Sequence, residues 1–277
     1  RDQPRSRGLG DVYKRQTIHN TAIIDKKAKL GNYIKIGPYS TIGPNVQIKN
    51  NVKIHSNVNI QGYTVIDEGT EIFPFASIGT IPQDLKYHGE KSKLIIGKKN
   101  RIREHVTMHP GTAGGPMCTR IGNNCLFMVG AHVAHDCLIG DHVILVNNVG
   151  LGGHVKVQDH AILGAMSGVH QFCRIGRHAM IGGKSAVDSD VIPYGSVLGN
   201  RAYLSGLNTI GLKRRGFGRN EIHGLRAASR LLFAQEGTMQ ERLVDVANMF
   251  ADHKQVMEIV EFIQEDSSRA LCQPKLD

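Results

Sequence analysis

The chain has 277 residues, 40% apolar and 21% charged, with a formal net charge of +10. This composition suits a globular protein with a sizeable core and excludes a low-complexity or collagen-like chain. No apolar run approaches the roughly 20 residues that a bilayer span needs, so a soluble, cytoplasmic protein without a transmembrane segment is expected. The five cysteines, Cys118, Cys125, Cys137, Cys173 and Cys272, have no paired short spacing. That argues against a disulfide framework or a four-thiolate metal site and for a reducing compartment.

In chain order, residues 1–16 carry Arg1, Arg5, Arg7, Lys14 and Arg15 but no apolar segment. They do not fit a secretory signal and are expected to form a tail outside the fold.

From Ile18 a repeat sets in. Ile or Leu recurs every sixth residue through Ile24, Leu30, Ile36, Ile42, Ile48, Ile54, Ile60, Ile66, Ile72 and Ile78. Two residues before most of these stands a small or β-branched side chain, as at Val46, Val52, Val58, Thr64, Thr70 and Ala76. The pair reads as two inward positions of a short strand with one outward residue between them. Glycine follows the large residue at Gly31, Gly37, Gly43 and Gly79, and is read as serving a tight turn with unusual dihedrals. Each hexad is therefore a short strand plus a corner, and three of them close a triangular coil.

Two stretches interrupt the repeat. From Ile78 to Ile96 is eighteen residues, which reads as one coil's worth with the polar stretch Ile81 to Lys93 projecting as a loop. Pro110 to Thr119, rich in glycine, shifts the phase by one residue, and the hexads resume at Ile121 and run to Val187. The period ends after Pro193. Leu225, Ala228, Leu231 and Leu232 then mark a helix, Thr238 and Glu241 form a capping box before a second, and Val256, Ile259, Val260 and Ile263 mark a third. The expected division is a β-helix over 17–200 and a small helical domain over 201–277.

Four histidines carry the chemistry. His132, His135, His154 and His170 stand beside Val133, Leu151 and Val169, which are eighteen residues apart. Coils advance by the inter-strand distance of about 4.8 Å, so these side chains are expected along one edge over roughly 10 Å. His135 is followed by Asp136, and an imidazole oriented by a carboxylate suits proton abstraction from a hydroxyl or amine. His132, His135 and His154 also supply nitrogens for a metal site of the β-helix carbonic anhydrase type.

The run Ala131 to Cys137, then Gly153-His154, His170-Gln171-Phe172, Gly199-Asn200 and Leu212 to Phe217 resembles the motif series of the UDP-N-acetylglucosamine O-acyltransferases of lipid A synthesis. The resemblance extends from Ile18 to the helical end and includes the loop Gln83 to Tyr87. It implies a left-handed parallel β-helix with a C-terminal helical domain, assembled as a homotrimer with sites between prisms. The implied reaction moves a 3-hydroxyacyl group from the phosphopantetheine arm of acyl carrier protein to the sugar 3-hydroxyl, with no metal or other cofactor.

His135 would be the base, Asp136 its support and Gly153 the oxyanion donor. Asp84, Lys86, His132, His154, His170, Gln171, Asn208, Arg214 and Arg215 would contact substrate, and Gly183 would set the far end of the acyl groove. Ile210 and Leu198 depart from that pattern, standing where well-studied relatives have an acidic residue and a glutamine. The related N-acyltransferase has an extra N-terminal domain for which the hexads leave no room. Acylation of a 3-amino sugar nucleotide stays open, since either nucleophile could use His135. The cluster Lys213, Arg214, Arg215 and Arg219 fits an acidic carrier protein. Nucleic acid is not expected, because the positive charge comes without an aromatic stacking platform.

Overall fold

The structure, a computed structural model, describes residues 16–275. Apart from Gln16, the expected tail lies outside these residues.

Among the described residues, twenty-seven short parallel strands and one closing hairpin strand form three sheets of eleven, nine and eight strands. Thr17–Ile18 lies on the first face, Ile23–Ile24 on the second and Lys29–Leu30 on the third. Thr17 then pairs with Lys35 as the next coil begins. The three faces enclose a triangular prism.

The large hexad residue fills its interior. Ile60, Ile66, Ile72 and Ile78 are completely buried, as are Leu145 and Leu163, and Val52, Val58 and Ala76 bury the inward position two residues earlier. The residue between them, such as Lys53, faces solvent. Each fully buried Ile or Leu contributes about 1.5–3 kcal/mol, and the narrow prism imposes one such side chain per side per coil.

The glycines after the hexad residue have a different role from the one their position suggests. Gly31, Gly37 and Gly43 do not adopt positive φ; a Cβ there would stand 2.5–2.7 Å from atoms of the next coil, at Asn50, His55 and Gln61 respectively. Close approach between coils, rather than turn geometry, selects glycine. Gly79 alone of the four combines both constraints, with φ of 74°.

The left-handed backbone conformation falls two residues further on. Twenty described residues other than glycine adopt it, among them Asn51, Asn57, Asp136, His154 and Phe172. This conformation costs about 1–2 kcal/mol per residue. It is offset by a second ladder, in which the N–H of most such residues donates to a carbonyl of the previous coil: Asn51 to Asn32, His154 to His135, Phe172 to Gly153. Identical positions therefore stack, and whatever side chains occupy them form columns along the corners.

Both insertions leave the prism at one corner, between the second and third faces. The first runs from Ser77–Ile78 to Lys93–Ile96 and the second from Thr107–Met108 to Cys118–Ile121. Ile96 pairs with Ile66, thirty residues earlier, where an uninterrupted coil such as Ile54 to Ile72 takes eighteen. The eighteen residues from Ile78 to Ile96 thus advance the chain by one side of the triangle, not by a coil.

The prism is closed by an antiparallel hairpin, Gly195–Leu198 with Tyr203–Leu207. Four helices follow: α1 (Thr209–Arg214), α2 (Arg219–Leu232), α3 (Met239–Met249) and α4 (Lys254–Gln264). The Thr238 capping box forms as expected, its hydroxyl accepting from the Glu241 N–H and Glu241 accepting from the Thr238 N–H. Docking on the prism is polar and aromatic. Tyr194 and Arg177 bind Glu258 of α4, Arg174 binds Glu265, and Phe217 meets the edge of His178 in a column that includes His142 and His160. No described helix is long and apolar enough to cross a membrane.

Candidate active site

The corner from which both insertions project also holds the expected base. His135 and Asp136 follow the strand His132–Val133 and are almost fully buried, at 9% and 5% exposure. His135 Nδ1 lies 2.9 Å from Asp136 Oδ2. The carboxylate is held by the second insertion: Thr112 donates its N–H to both oxygens at 3.0 and 3.1 Å and its hydroxyl to Oδ2 at 2.7 Å. Because a carboxylate only accepts, the His135 proton sits on Nδ1 and the Nε2 lone pair is free to take another.

Glycines shape this centre. A Cβ on Gly115 would come 2.5 Å from the Asp136 carboxyl carbon, and one on Gly111 2.6 Å from Asp136 Oδ1. One on Gly153 would come 2.6 Å from His135 Nε2. The glycine-rich insertion closes over the acid, and Gly153 leaves the base uncovered. The Gly153 N–H is not spent on any backbone bond among the described residues.

Three more histidines surround the base. His154, at the left-handed position one coil above Asp136, meets His135 edge to face at 5.1 Å and stacks on Phe172 at 4.4 Å. His132 binds the Thr107 hydroxyl through Nδ1 at 2.7 Å and meets His109 at 5.0 Å. Burial pushes His109 down to about 4 and holds His132 and His154 below the ordinary histidine value, the nearby histidine charges adding to the effect. For His154 the charges of Asp136 and Asp84 act in the opposite direction. These shifts favour the uncharged rings; His154 Nε2 stands 4.0 Å from Asp136 Oδ2, well beyond the 2.9 Å contact of His135.

His135, Asp136 and His154 also bring ligand-type atoms within 4.8 Å of one another. This set differs from the three histidines that the spacing offered for a metal, since His132 is turned to Thr107. Asp136 Oδ2 already accepts from Thr112 and His135, so a cation there would have to displace those donors.

The other expected residues are distributed as follows. Asp84 and Lys86 lie on the first insertion, where the Lys86 N–H donates to Asp84 Oδ1 in a local turn. That insertion is tied to the second by Glu90, which accepts the Ala113 N–H. His170 and Gln171 are exposed on the same corner, two coils above Ala134 and His135. Gly183 lies on the neighbouring corner, between the first and second faces, exposed and with only the Ala165 backbone within 4 Å of a Cβ.

Asn208 caps α1, accepting from the Gly211 N–H and donating to the His178 carbonyl, so its amide is engaged in the fold. Arg214 is exposed. Arg215 donates to the His160 carbonyl at 2.9 Å, while its other terminal nitrogen is buried without a protein partner. The basic segment is thus split: Lys213, Arg214 and Arg219 face solvent, whereas Arg215 is half-buried.

The sequence reading passed over His109, Thr112 and Arg269. His109 was findable, since Met108 pairs with Val133 and so puts His109 in register with Ala134 at the corner. Thr112 lies inside an aperiodic insertion, and Arg269 reaches the site from the far end of the chain; neither left a sequence signal.

Residues 190–272 match the family described as UDP N-acetylglucosamine O-acyltransferase, domain 2, and residues 118–153 match bacterial transferase hexapeptide repeats. The acyl-[acyl-carrier-protein]–UDP-N-acetylglucosamine O-acyltransferase of Caulobacter vibrioides is 59% identical over 94% of this chain and 98% of its own length. The chain belongs to the UDP-N-acetylglucosamine O-acyltransferase family. Its relative from Rickettsia canadensis is 51% identical over 92% of this chain and 97% of that protein. Among solved structures, the UDP-N-acetylglucosamine acyltransferase of Francisella novicida superposes with a TM-score of 0.90 at 39% identity, covering 93% of this chain and 94% of that one. This family's left-handed β-helix with a C-terminal helical domain is the fold of the present chain.

Proposed function

We propose that this protein transfers a 3-hydroxyacyl group from acyl carrier protein to the 3-hydroxyl of UDP-N-acetylglucosamine, the first step of lipid A biosynthesis, with His135 as general base. The observation that carries the reading is a buried imidazole whose Nδ1–H is fixed on a carboxylate, leaving Nε2 free over a glycine. Nε2 takes the proton of the sugar hydroxyl as its oxygen attacks the thioester carbonyl. The Gly153 N–H stabilises the resulting oxyanion. Collapse breaks the carbon–sulfur bond, and the departing phosphopantetheine thiolate recovers the proton from His135. The chemistry needs no resident cofactor.

Around this centre, His132, His154, His170 and Gln171 position substrate, and Asp84 and Lys86 reach it from the projecting loop. The buried, unpartnered nitrogen of Arg215 supports a role in holding an anionic portion of the nucleotide. Arg214 and its basic neighbours face the acidic carrier protein. Asn208 contributes mainly by fixing α1, with one amide hydrogen left for substrate.

The acyl chain is proposed to run along the second face. Its outward positions above His132 are Gly150, Gly168 and Ala186, and a Cβ on either glycine would meet nothing within 4 Å. Gly183 stands at the edge of this bare strip. Each methylene buried there contributes about 0.8 kcal/mol. Gly183→Met is expected to shift the kcat/KM preference toward shorter donors while leaving His135 in place.

A mass-resolved product assay with hydroxyacyl carrier proteins of graded length tests both ideas. UDP-N-acetylglucosamine should give an O-acyl product; acylation of the 3-amino analogue alone would overturn the O-acyl reading. An unchanged length profile in folded G183M protein would remove Gly183 as the ruler.

A homotrimer with sites between prisms completes the proposal. Four successive strands of the first face turn Leu126, Ile144, Ile162 and Met180 outward, each only half-exposed. A second prism would cover this apolar row. Sedimentation equilibrium at micromolar concentration should return a trimer, and a fully active monomer would contradict a shared site.

A further inference from the structure

The segment after α4 returns to the prism beside the active-site corner. It is firmly anchored: the Asp190 N–H donates to the Ala270 carbonyl, the Cys272 N–H to the Asp190 carbonyl, and the Ser267 hydroxyl to Asp190 Oδ2 at 2.7 Å. Asp266, Ser267 and Ser268 line a cavity of about 610 Å³ together with Asp136, His154 and Phe172.

From this segment Arg269 reaches the corner with two contacts. Its Nε–H donates to the Gln171 carbonyl at 2.9 Å, and one terminal nitrogen lies 2.7 Å from His170 Nδ1. A guanidinium has donors only. His170 Nδ1 must therefore present its lone pair, and the ring proton must sit on Nε2. The alternative, Nδ1–H donating to the Gln171 carbonyl at 3.3 Å, would set two donors against each other at 2.7 Å.

We infer that Arg269 is a positioning residue, holding His170 in the Nε2–H tautomer and its ring toward the cleft, so that His170 offers substrate a donor and not an acceptor. The inference rests on the proposed acyl transfer for its kinetic consequence, but the tautomer is independent of the reaction. The contact also extends to the base. His170, Gln171 and Phe172 form one turn, Phe172 stacks on His154, and His154 meets His135.

The test compares full-length wild type with Arg269→Ala, Arg269→Lys and Glu265→Gln. Glu265→Gln weakens the Arg174–Glu265 anchor without touching His170. Imidazole 15N spectra should show His170 Nδ1 unprotonated in wild type and in R269K, and a mixture of tautomers in R269A. Loss of a charge-assisted bond worth about 1.5 kcal/mol corresponds to roughly tenfold. R269A should accordingly raise KM for the acyl donor about tenfold with kcat changed less than threefold, and R269K should recover most of it.

E265Q should lower the thermal midpoint and leave the His170 spectrum unchanged. A wild-type His170 protonated on Nδ1, or a folded R269A protein with unaltered spectrum and KM, overturns the inference. So does a tautomer change in E265Q equal to that in R269A, which would mark Arg269 as one anchor among several. If R269A does not fold, the wild-type and R269K spectra still decide the tautomer. Absence of O-acyl product from wild type would overturn the proposed function and leave the spectroscopic comparison standing.

Discussion

His135→Ala is expected to lower kcat by at least about 100-fold, within the 10²–10⁴ range that a positioned general base supplies. The imidazole stands on a corner outside the hexad interior, which is filled by Val133, Leu151 and their equivalents. Truncation therefore removes the base while leaving the coil intact. It also leaves the Asp136 carboxylate with its two Thr112 donors, so the buried charge keeps hydrogen-bond partners. Circular dichroism and sedimentation identify a folded protein, and single-turnover measurements with saturating donor isolate the chemical step. Near wild-type turnover in a folded H135A protein would remove His135 from the mechanism. A change confined to KM would make it a binding group.

Much of this architecture was legible because a narrow prism imposes its period on the chain. The main inward position needs a side chain of nearly fixed size, so Ile54, Ile60 and Ile66 recur without relief, and the repeat resumes after two interruptions, the second of which shifts its phase by one residue. What the period did not reveal was why particular residues stand at the corners. Gly31 and Gly37 looked like turn residues, but their constraint is the neighbouring coil, which a single hexad does not contain. The turn conformation itself falls on side chains such as Asn51 and His154, for which a positive φ leaves no compositional mark beyond an enrichment in Asn, Asp and His. The eighteen-residue step from Ile78 to Ile96 matched a coil by coincidence of loop length.

The site divides along the same line. His135 and Asp136 are adjacent in sequence, and His154 follows at nearly one coil's spacing, so repetition alone brought them together. Thr112 enters from an aperiodic insertion and Arg269 from beyond four helices, contacts set by tertiary docking. Asn208 shows the converse limit. The resemblance suggested a ligand contact, and the structure adds that its amide also caps α1 and donates to the His178 carbonyl. Sequence spacing finds residues that share a column; it does not distinguish a free polar group from one already bonded to the fold.

Asp136→Asn should be nearly as damaging as loss of the base, and for a reason specific to this corner. Asp136 accepts from three donors, the Thr112 N–H, the Thr112 hydroxyl and His135 Nδ1–H. Asparagine offers one oxygen and an NH₂ group that only donates. With its NH₂ in the place of Oδ2, asparagine faces both the Thr112 hydroxyl and His135 Nδ1, and the ring must move its proton to Nε2, where it can no longer act as a base. With the amide reversed, its oxygen keeps the His135 and Thr112 hydroxyl bonds, but the NH₂ in the place of Oδ1 opposes the buried Thr112 N–H, and the negative charge that stabilises the protonated base is gone. Asparagine tolerates the positive φ of 58° at this position, so the coil should persist. The comparable change in a serine-protease triad costs about 10⁴ in kcat through the wrong tautomer, and a loss of about 100-fold or more is expected here. The 15N spectrum of His135 should show the proton on Nδ1 in wild type and a share of it moved to Nε2 in D136N. Turnover within about threefold of wild type, with the wild-type tautomer retained, would show that Asp136 does not set the state of the base.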